Sequence, residues 1–238
     1  ARVRLEYPPP TIEPFLLNAH IFAIGFLCYH EVHMDATNAV FYIAILIMSV
    51  VIHEISHGFV AEYFGDDTAR NAGRLTLNPI KHLDLFGSII LPTLMFFSTG
   101  FVLGWAKPVP YNPYNLSDRK WGTVAVAAAG ILANLFIAII FGLLIRFTLS
   151  ANLPEGFYLI TSSIVITNLA LALFNLVPIP PLDGSKILFS FFPKSLYAFA
   201  EFMEQYAFIF LLIFIFYFSD FLRPILSFLF NLITGATF

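Results

Sequence analysis

The segment His53-Glu54-Ile55-Ser56-His57 carries two imidazoles at i and i+4 with a carboxylate beside the first. On a helix this spacing puts both rings on one face, about one turn apart, with the glutamate alongside. The chemistry it favours is metal-assisted hydrolysis. A catalytic Zn²⁺ takes three protein ligands and keeps a fourth position for a water, whose pKa it lowers to about 7. A carboxylate at Glu54 can accept that water's proton and hand it to a leaving nitrogen. His53 and His57 are therefore candidate metal ligands and Glu54 a candidate general base.

All three lie near one end of an apolar run, residues 39–64. Ionisable groups within such a run are costly and mark function by default. A third ligand is offered by Phe174-Asn175-Leu176-Val177-Pro178-Ile179-Pro180-Pro181-Leu182-Asp183-Gly184. Prolines break the helix there, and irregular backbone at membrane depth is tolerated where it is buried in protein or lines a wet cavity. Asp183 is thus presented on a broken element and completes a His₂-Asp set that zinc accepts. Glu201 and Glu204, in the tail, are the other carboxylates open to that place.

The elements that must hold these residues are membrane helices. Of 238 residues, 59% are hydrophobic and 11% charged, against roughly 25% charged in a soluble domain, and mean hydropathy is +0.83. With about 20 apolar residues per span, the apolar runs fall at 15–29, 39–64, 85–105, 122–149 and 157–177, followed by a phenylalanine-rich tail, 195–233, that Asp220, Arg223 and Pro224 divide. Pro92, Ser98, Thr99, Gly100 and Gly104 interrupt the 85–105 run. The expected fold is an all-α polytopic membrane protein with about six transmembrane helices. A re-entrant or membrane-embedded segment is expected near 85–105, and a short polar segment near 68–80 is open to a β-hairpin. One membrane-embedded domain, 1–238, would comprise a core at about 40–190 and C-terminal helices at about 195–233. A net charge of −3 and a pI near 6.0 supply no basic surface for nucleic acid. A single cysteine, Cys28, excludes an intrachain disulfide.

Cytoplasmic loops are enriched in Lys and Arg. If the N-terminus is cytoplasmic and 85–105 does not cross, Arg2, Arg4, Arg70, Arg74, Lys81, Lys107, Arg119, Lys120, Lys186 and Lys194 share the cytoplasmic side, and Arg146 lies outside. A crossing at 85–105 would scatter them. The expected protein is therefore multi-pass in the cell membrane, with its active site toward the cytoplasm.

Together the two motifs resemble the site-2 protease family of intramembrane zinc metalloproteases, in which one membrane helix brings HExxH and a later one Asn-x-x-Pro-x-x-x-Leu-Asp-Gly, here Asn175, Pro178, Leu182, Asp183 and Gly184. Gly65-Asp66, the stretch from Ala72 to Asp84, and Gly104-Trp105-Ala106-Lys107-Pro108-Val109-Pro110 are similar to the compact bacterial branch without a PDZ domain. The resemblance implies one catalytic zinc on His53, His57 and Asp183, Glu54 as base, and Asn175 meeting substrate backbone or the developing oxyanion. It implies membrane-anchored, single-span substrates in the lipid bilayer. The family's Gly-Pro-x-Ala-Asn signature stands here as Gly130-Ile131-Leu132-Ala133-Asn134, with the proline replaced.

Two rivals remain at this level. A CAAX-type membrane metalloprotease would take its third ligand from Glu201 or Glu204; a non-enzymatic membrane protein with a structural metal would normally use four Cys or His ligands. His82 and Asp84, in a polar loop, are open to a supporting role at the site or to simple solvation, and His20, His30 and His33 to adventitious metal.

Overall fold

The computed structural model describes residues 36–90, 94, 106–151 and 153–236. The helix expected at 15–29, with His20 and Cys28, and the residues His30 and His33 lie outside them. Among the described residues the fold is all-helical. Four tracts are long and apolar enough to cross a bilayer: Val40–Tyr63, Arg119–Ala151, Glu155–Leu176 and Ala207–Thr234.

Helix α1, Ala36–Tyr63, carries the HExxH segment. It ends where Gly65 takes φ +97, with Gly65 N–H donating to Glu62 O and Asp66 N–H to Ala61 O. That pair of bonds is a Schellman cap, and the positive φ is why glycine sits there. The next segment corrects an expectation: no strand forms at 68–80. Asp66 Oδ1 accepts from both N–H and Oγ1 of Thr68, which starts the single turn α2, Thr68–Asn71. Asn78 then caps a 3₁₀ turn, Pro79–His82, by accepting from Ile80 N–H. Side-chain acceptors at turn starts bend this polar stretch into helical turns before any hairpin ladder can form.

Residues on the two flanks of the interrupted apolar run meet. Lys107 N–H donates to His82 O at 2.8 Å, so the chain comes back to the place it left after a π-helical turn at Leu85–Ile90. The extended strap 106–111 and the turn that follows lead to Asp118, whose carboxylate accepts Trp121 N–H and caps α3, Arg119–Thr148.

Helices α1 and α3 are antiparallel in a fixed register. Phe64 packs beside Gly122, His57 Nδ1 meets Val126 O, and the His53 ring lies on Gly130. The small residues of α3 make this close approach possible. Helix α4, Glu155–Leu176, packs on both, and Asn168 Nδ2 donates to Ser49 Oγ on α1 at 3.0 Å. Ala138, Ile145, Val165, Leu169 and Leu171 form the core with Leu226 and Phe230 of the tail. Large apolar side chains such as Leu132, Phe136 and Phe147 face outward, as lipid solvation allows.

After α4 the proline-broken stretch leads into α5, Asp183–Phe189, and α6, Tyr197–Gln205. The tail forms one tract where two spans had been open. Helix α7, Ala207–Ile213, runs through a π turn and a 3₁₀ turn into α8, Leu222–Thr234. Pro224 falls in the first turn of α8, where its missing N–H costs no helical bond, and Arg223 Nε stands 3.4 Å from Asp220 Oδ1. The expected count of about six spans is therefore not reached among the described residues. The far end of the tail closes on α3, with Arg146 donating to Leu232 O.

Candidate metal centre

Helix α1 supplies His53, Glu54 and His57, and the start of α5 supplies Asp183; all four are buried. His53 Nε2 lies 3.0 Å from His57 Nε2 and 3.1 Å from Asp183 Oδ2, and His57 Nε2 lies 3.2 Å from the same oxygen. These three residues are a group that could hold a metal ion. Ligand atoms arranged tetrahedrally at about 2.0–2.1 Å from zinc stand roughly 3.3 Å apart, close to the size of this triangle. His57 Nδ1 is 2.6 Å from Val126 O. A carbonyl can only accept, so that nitrogen carries the proton and Nε2 turns its lone pair toward the triangle. Donor types, spacing and tautomer all fit zinc.

Two glycines permit the assembly. A Cβ on Gly130 would stand within 2.5–2.6 Å of the His53 ring, and one on Gly184 would overlap the carbonyl oxygens of Leu176 and Val177. The first lets α3 lie flat against the imidazole. The second lets α5 fold back on the end of α4 and carry Asp183 to the histidines.

Beside the triangle a cavity of about 20 Å³ is lined by Glu54, His57, Pro108, Val109, Tyr111, Asp183 and Lys186, room for one water-sized molecule. The strap forms one wall of it through Pro108, Val109 and Tyr111. Glu54 Oε2 accepts Val109 N–H at 2.9 Å, and Asp66 fastens the strap's far end by accepting Asn112 N–H at 2.6 Å and Asn115 Nδ2 at 2.8 Å. Lys186 Nζ lies 3.1 Å from Asp183 Oδ1, the oxygen turned away from the histidines.

Other residues singled out from sequence fall elsewhere. Asn175 is fully buried, its Nδ2 donating to Leu171 O one turn back on its own helix, and it does not line the cavity. His82 is not solvated: it is 1% exposed and its Nε2 bonds Thr76 O, holding the loop together. Asp84 caps the π-helical turn by accepting from Phe86 and Gly87 N–H. Asn134 is buried one turn beyond Gly130. Glu201 and Glu204 are exposed on α6, outside the metal-capable group. Sequence reasoning did not assign Lys186 or Tyr111 to the site and missed the strap; the Gly104-to-Pro110 block marks the strap's position but not its contact with Glu54.

Two histidines on a membrane-length helix, an aspartate brought to them at the start of a short helix, and a buried glutamate at a water-sized cavity define an intramembrane metalloprotease. The chain belongs to peptidase family M50, whose pattern matches residues 41–165 and 151–218. It is similar to YwhC of Bacillus subtilis, named as a candidate zinc metalloprotease, with 41% identity over 181 residues, covering 71% of this chain and 78% of that protein. It is also similar to two proteins named Rip2 and described in the same terms. That of Mycolicibacterium smegmatis is 32% identical over 58% of this chain and 52% of its own length. That of Mycobacterium tuberculosis is 29% identical over 80% of this chain and 73% of its own. No solved structure matches the chain. The protein is a zinc metalloprotease of the site-2 type, multi-pass in the membrane.

Proposed function

We propose that His53 Nε2, His57 Nε2 and Asp183 Oδ2 hold the zinc ion and that Glu54 is the general base. The observation that carries this is the triangle of 3.0–3.2 Å among two imidazole nitrogens and one carboxylate oxygen from distant parts of the chain. Zinc bound there supplies a water of lowered pKa and polarises a carbonyl. The chain's own groups do the rest. Glu54, on the cavity wall, takes the proton of the attacking water and delivers it to the amide nitrogen as the C–N bond breaks. Val126 holds the His57 tautomer through its carbonyl. Asn175, buried off the cavity wall with no hydrogen-bond partner for its Oδ1 among the described residues, would meet the unwound substrate backbone once the entering substrate displaces the chain that covers it.

The substrates are membrane-anchored proteins of a single span. The N-terminus and the metal centre face the cytoplasm: the C-terminal ends of α1 and α4 and the N-terminal end of α3 gather there with Arg70, Arg74, Lys81, Arg119, Lys120, Lys186 and Lys194. The Lys107–His82 bond supports a re-entrant segment at 85–105. Residues 1–238 form one protease domain.

The test is zinc content of detergent-purified protein, wild type beside Asp183→Ala and a His53→Ala/His57→Ala pair, with cleavage of a single-span membrane protein measured in parallel. About one zinc per chain, lost in both variants together with cleavage, is the expected result. Zinc retained without Asp183 would remove it as the third ligand.

A further inference from the structure

Hydrolysis of an amide builds negative charge on the carbonyl oxygen as water adds, and a donor preset at that oxygen commonly contributes more than any other single group. The wall of the cavity leaves few residues able to supply one. Pro108 has no N–H, and Val109 N–H is engaged by Glu54 Oε2. His57 faces the triangle with Nε2 and Val126 O with Nδ1, and Asp183 and Glu54 are acceptors. Lys186 and Tyr111 remain. Asn175 is off the wall, its amide turned back to Leu171 O.

We infer that the Lys186 ammonium is the electrophilic donor of the reaction, meeting the carbonyl oxygen of the scissile bond as charge develops on it. This rests on the zinc-protease assignment above and adds a catalytic group to it. The geometry presets the lysine. Its Nζ is tied at 3.1 Å to Asp183 Oδ1, the carboxylate oxygen not used in the triangle, one helical turn along α5. The same Nζ lies over the Tyr111 ring, 5.8 Å from its centroid. One bond to Asp183 leaves two of the three ammonium donors for the cavity. During the reaction the water oxygen bonds to the carbonyl carbon, the carbonyl π pair moves onto its oxygen, and Lys186 stabilises that oxygen by hydrogen bonding without giving up a proton. The pair returns as the C–N bond breaks, the nitrogen receiving its proton from Glu54.

The test compares wild type with Lys186→Met, Lys186→Arg and Tyr111→Phe, each loaded to one zinc per chain as verified by metal analysis. Two ligands are titrated: a phosphinic tetrapeptide with Ala and Leu side chains, which mimics the anionic tetrahedral state, and the parent peptide amide. Lys186→Met should weaken the phosphinate by about 10²–10³-fold, lower kcat on a single-span membrane protein by a like factor, and change parent-peptide affinity and KM less than about 3-fold. Lys186→Arg should recover part of the loss and Tyr111→Phe should lose little. Phosphinate affinity and kcat within about 3-fold of wild type in loaded Lys186→Met would overturn the inference, as would an equal loss for phosphinate and parent peptide. A loss confined to Tyr111→Phe would overturn it in favour of the tyrosine. Wild-type protein that takes up no zinc would remove the site assignment and this inference with it, an outcome distinct from any behaviour of the variants.

Discussion

Gly130 on α3 lies so close against the imidazole of His53 on α1 that a methyl group at residue 130 would stand 2.5 Å from Cε1 and 2.6 Å from both ring nitrogens. The ring cannot yield without leaving the triangle, because its Nε2 is already 3.0–3.1 Å from His57 and Asp183. Gly130→Ala should therefore fold, with α1 and α3 slightly spread, and bind zinc at least about tenfold more weakly, as displaced metal ligands do. Competition with a zinc-chelating dye would measure it; wild-type affinity would show that the helices separate without disturbing the ring.

That glycine also marks how far the sequence could be read. The Gly130-to-Asn134 block was visible as a variant of a family signature, but its partner was not, since the partner depends on the register of two helices far apart in the chain. HExxH spacing and the proline-flanked Asp183 were legible because each is local chemistry, and the structure brings all three side chains together. Lys186 escaped notice because its meaning comes from a cavity whose other wall is the strap at 106–111. The hairpin expected at 68–80 failed on short-range competition: Asp66 and Asn78 cap turns there, and composition alone did not distinguish such turns from a hairpin.

Glu54→Gln separates the base from the metal site. An amide oxygen can still accept Val109 N–H, so the strap keeps its anchor, and the triangle does not include residue 54. Zinc content should stay near one per chain while kcat falls by about 10²–10⁴-fold, the usual weight of general-base catalysis. Normal cleavage by this variant would show that the proton goes elsewhere.

Asp66 makes the strap pH-dependent. Burial alone would raise its pKa, but hydrogen bonds from Thr68, from Asn112 N–H and from Asn115 outweigh that and hold it below the usual value. A carboxyl whose folded pKa is depressed stabilises the fold fully above its unfolded pKa, about 4, and the contribution is lost as pH falls through the lower folded value. Strap opening should accordingly be independent of pH near neutrality and rise only in the acid range. Asp66→Ala should speed amide exchange of residues 106–118 by about 10- to 100-fold at neutral pH, reflecting lost charge-assisted bonds of about 1.5–3 kcal/mol. Unchanged protection by hydrogen-exchange mass spectrometry would mean that the bonds from Val109 N–H to Glu54 and from Ser117 N–H to Phe64 O hold the strap without it.

Asn175 and Lys186 are distinguished by which kinetic constant each controls. Asn175 sits at the last turn of α4, where the helix gives way to prolines and where Leu176 O and Val177 O meet Gly184 next to Asp183. An amide there can pair with substrate backbone once the substrate helix has unwound, and such pairing is present in both the bound ground state and the transition state. Removing it should raise KM and leave kcat largely intact. Asn175→Ala is thus expected to raise KM by about 5- to 30-fold, the worth of one or two buried hydrogen bonds, with zinc content unchanged. A fall in kcat at constant KM would instead place the amide at the developing oxyanion, in the role assigned above to Lys186. A double variant with Lys186→Met would then show whether the two losses add, as they should for independent contacts, or merge, as they must if both groups serve one oxygen.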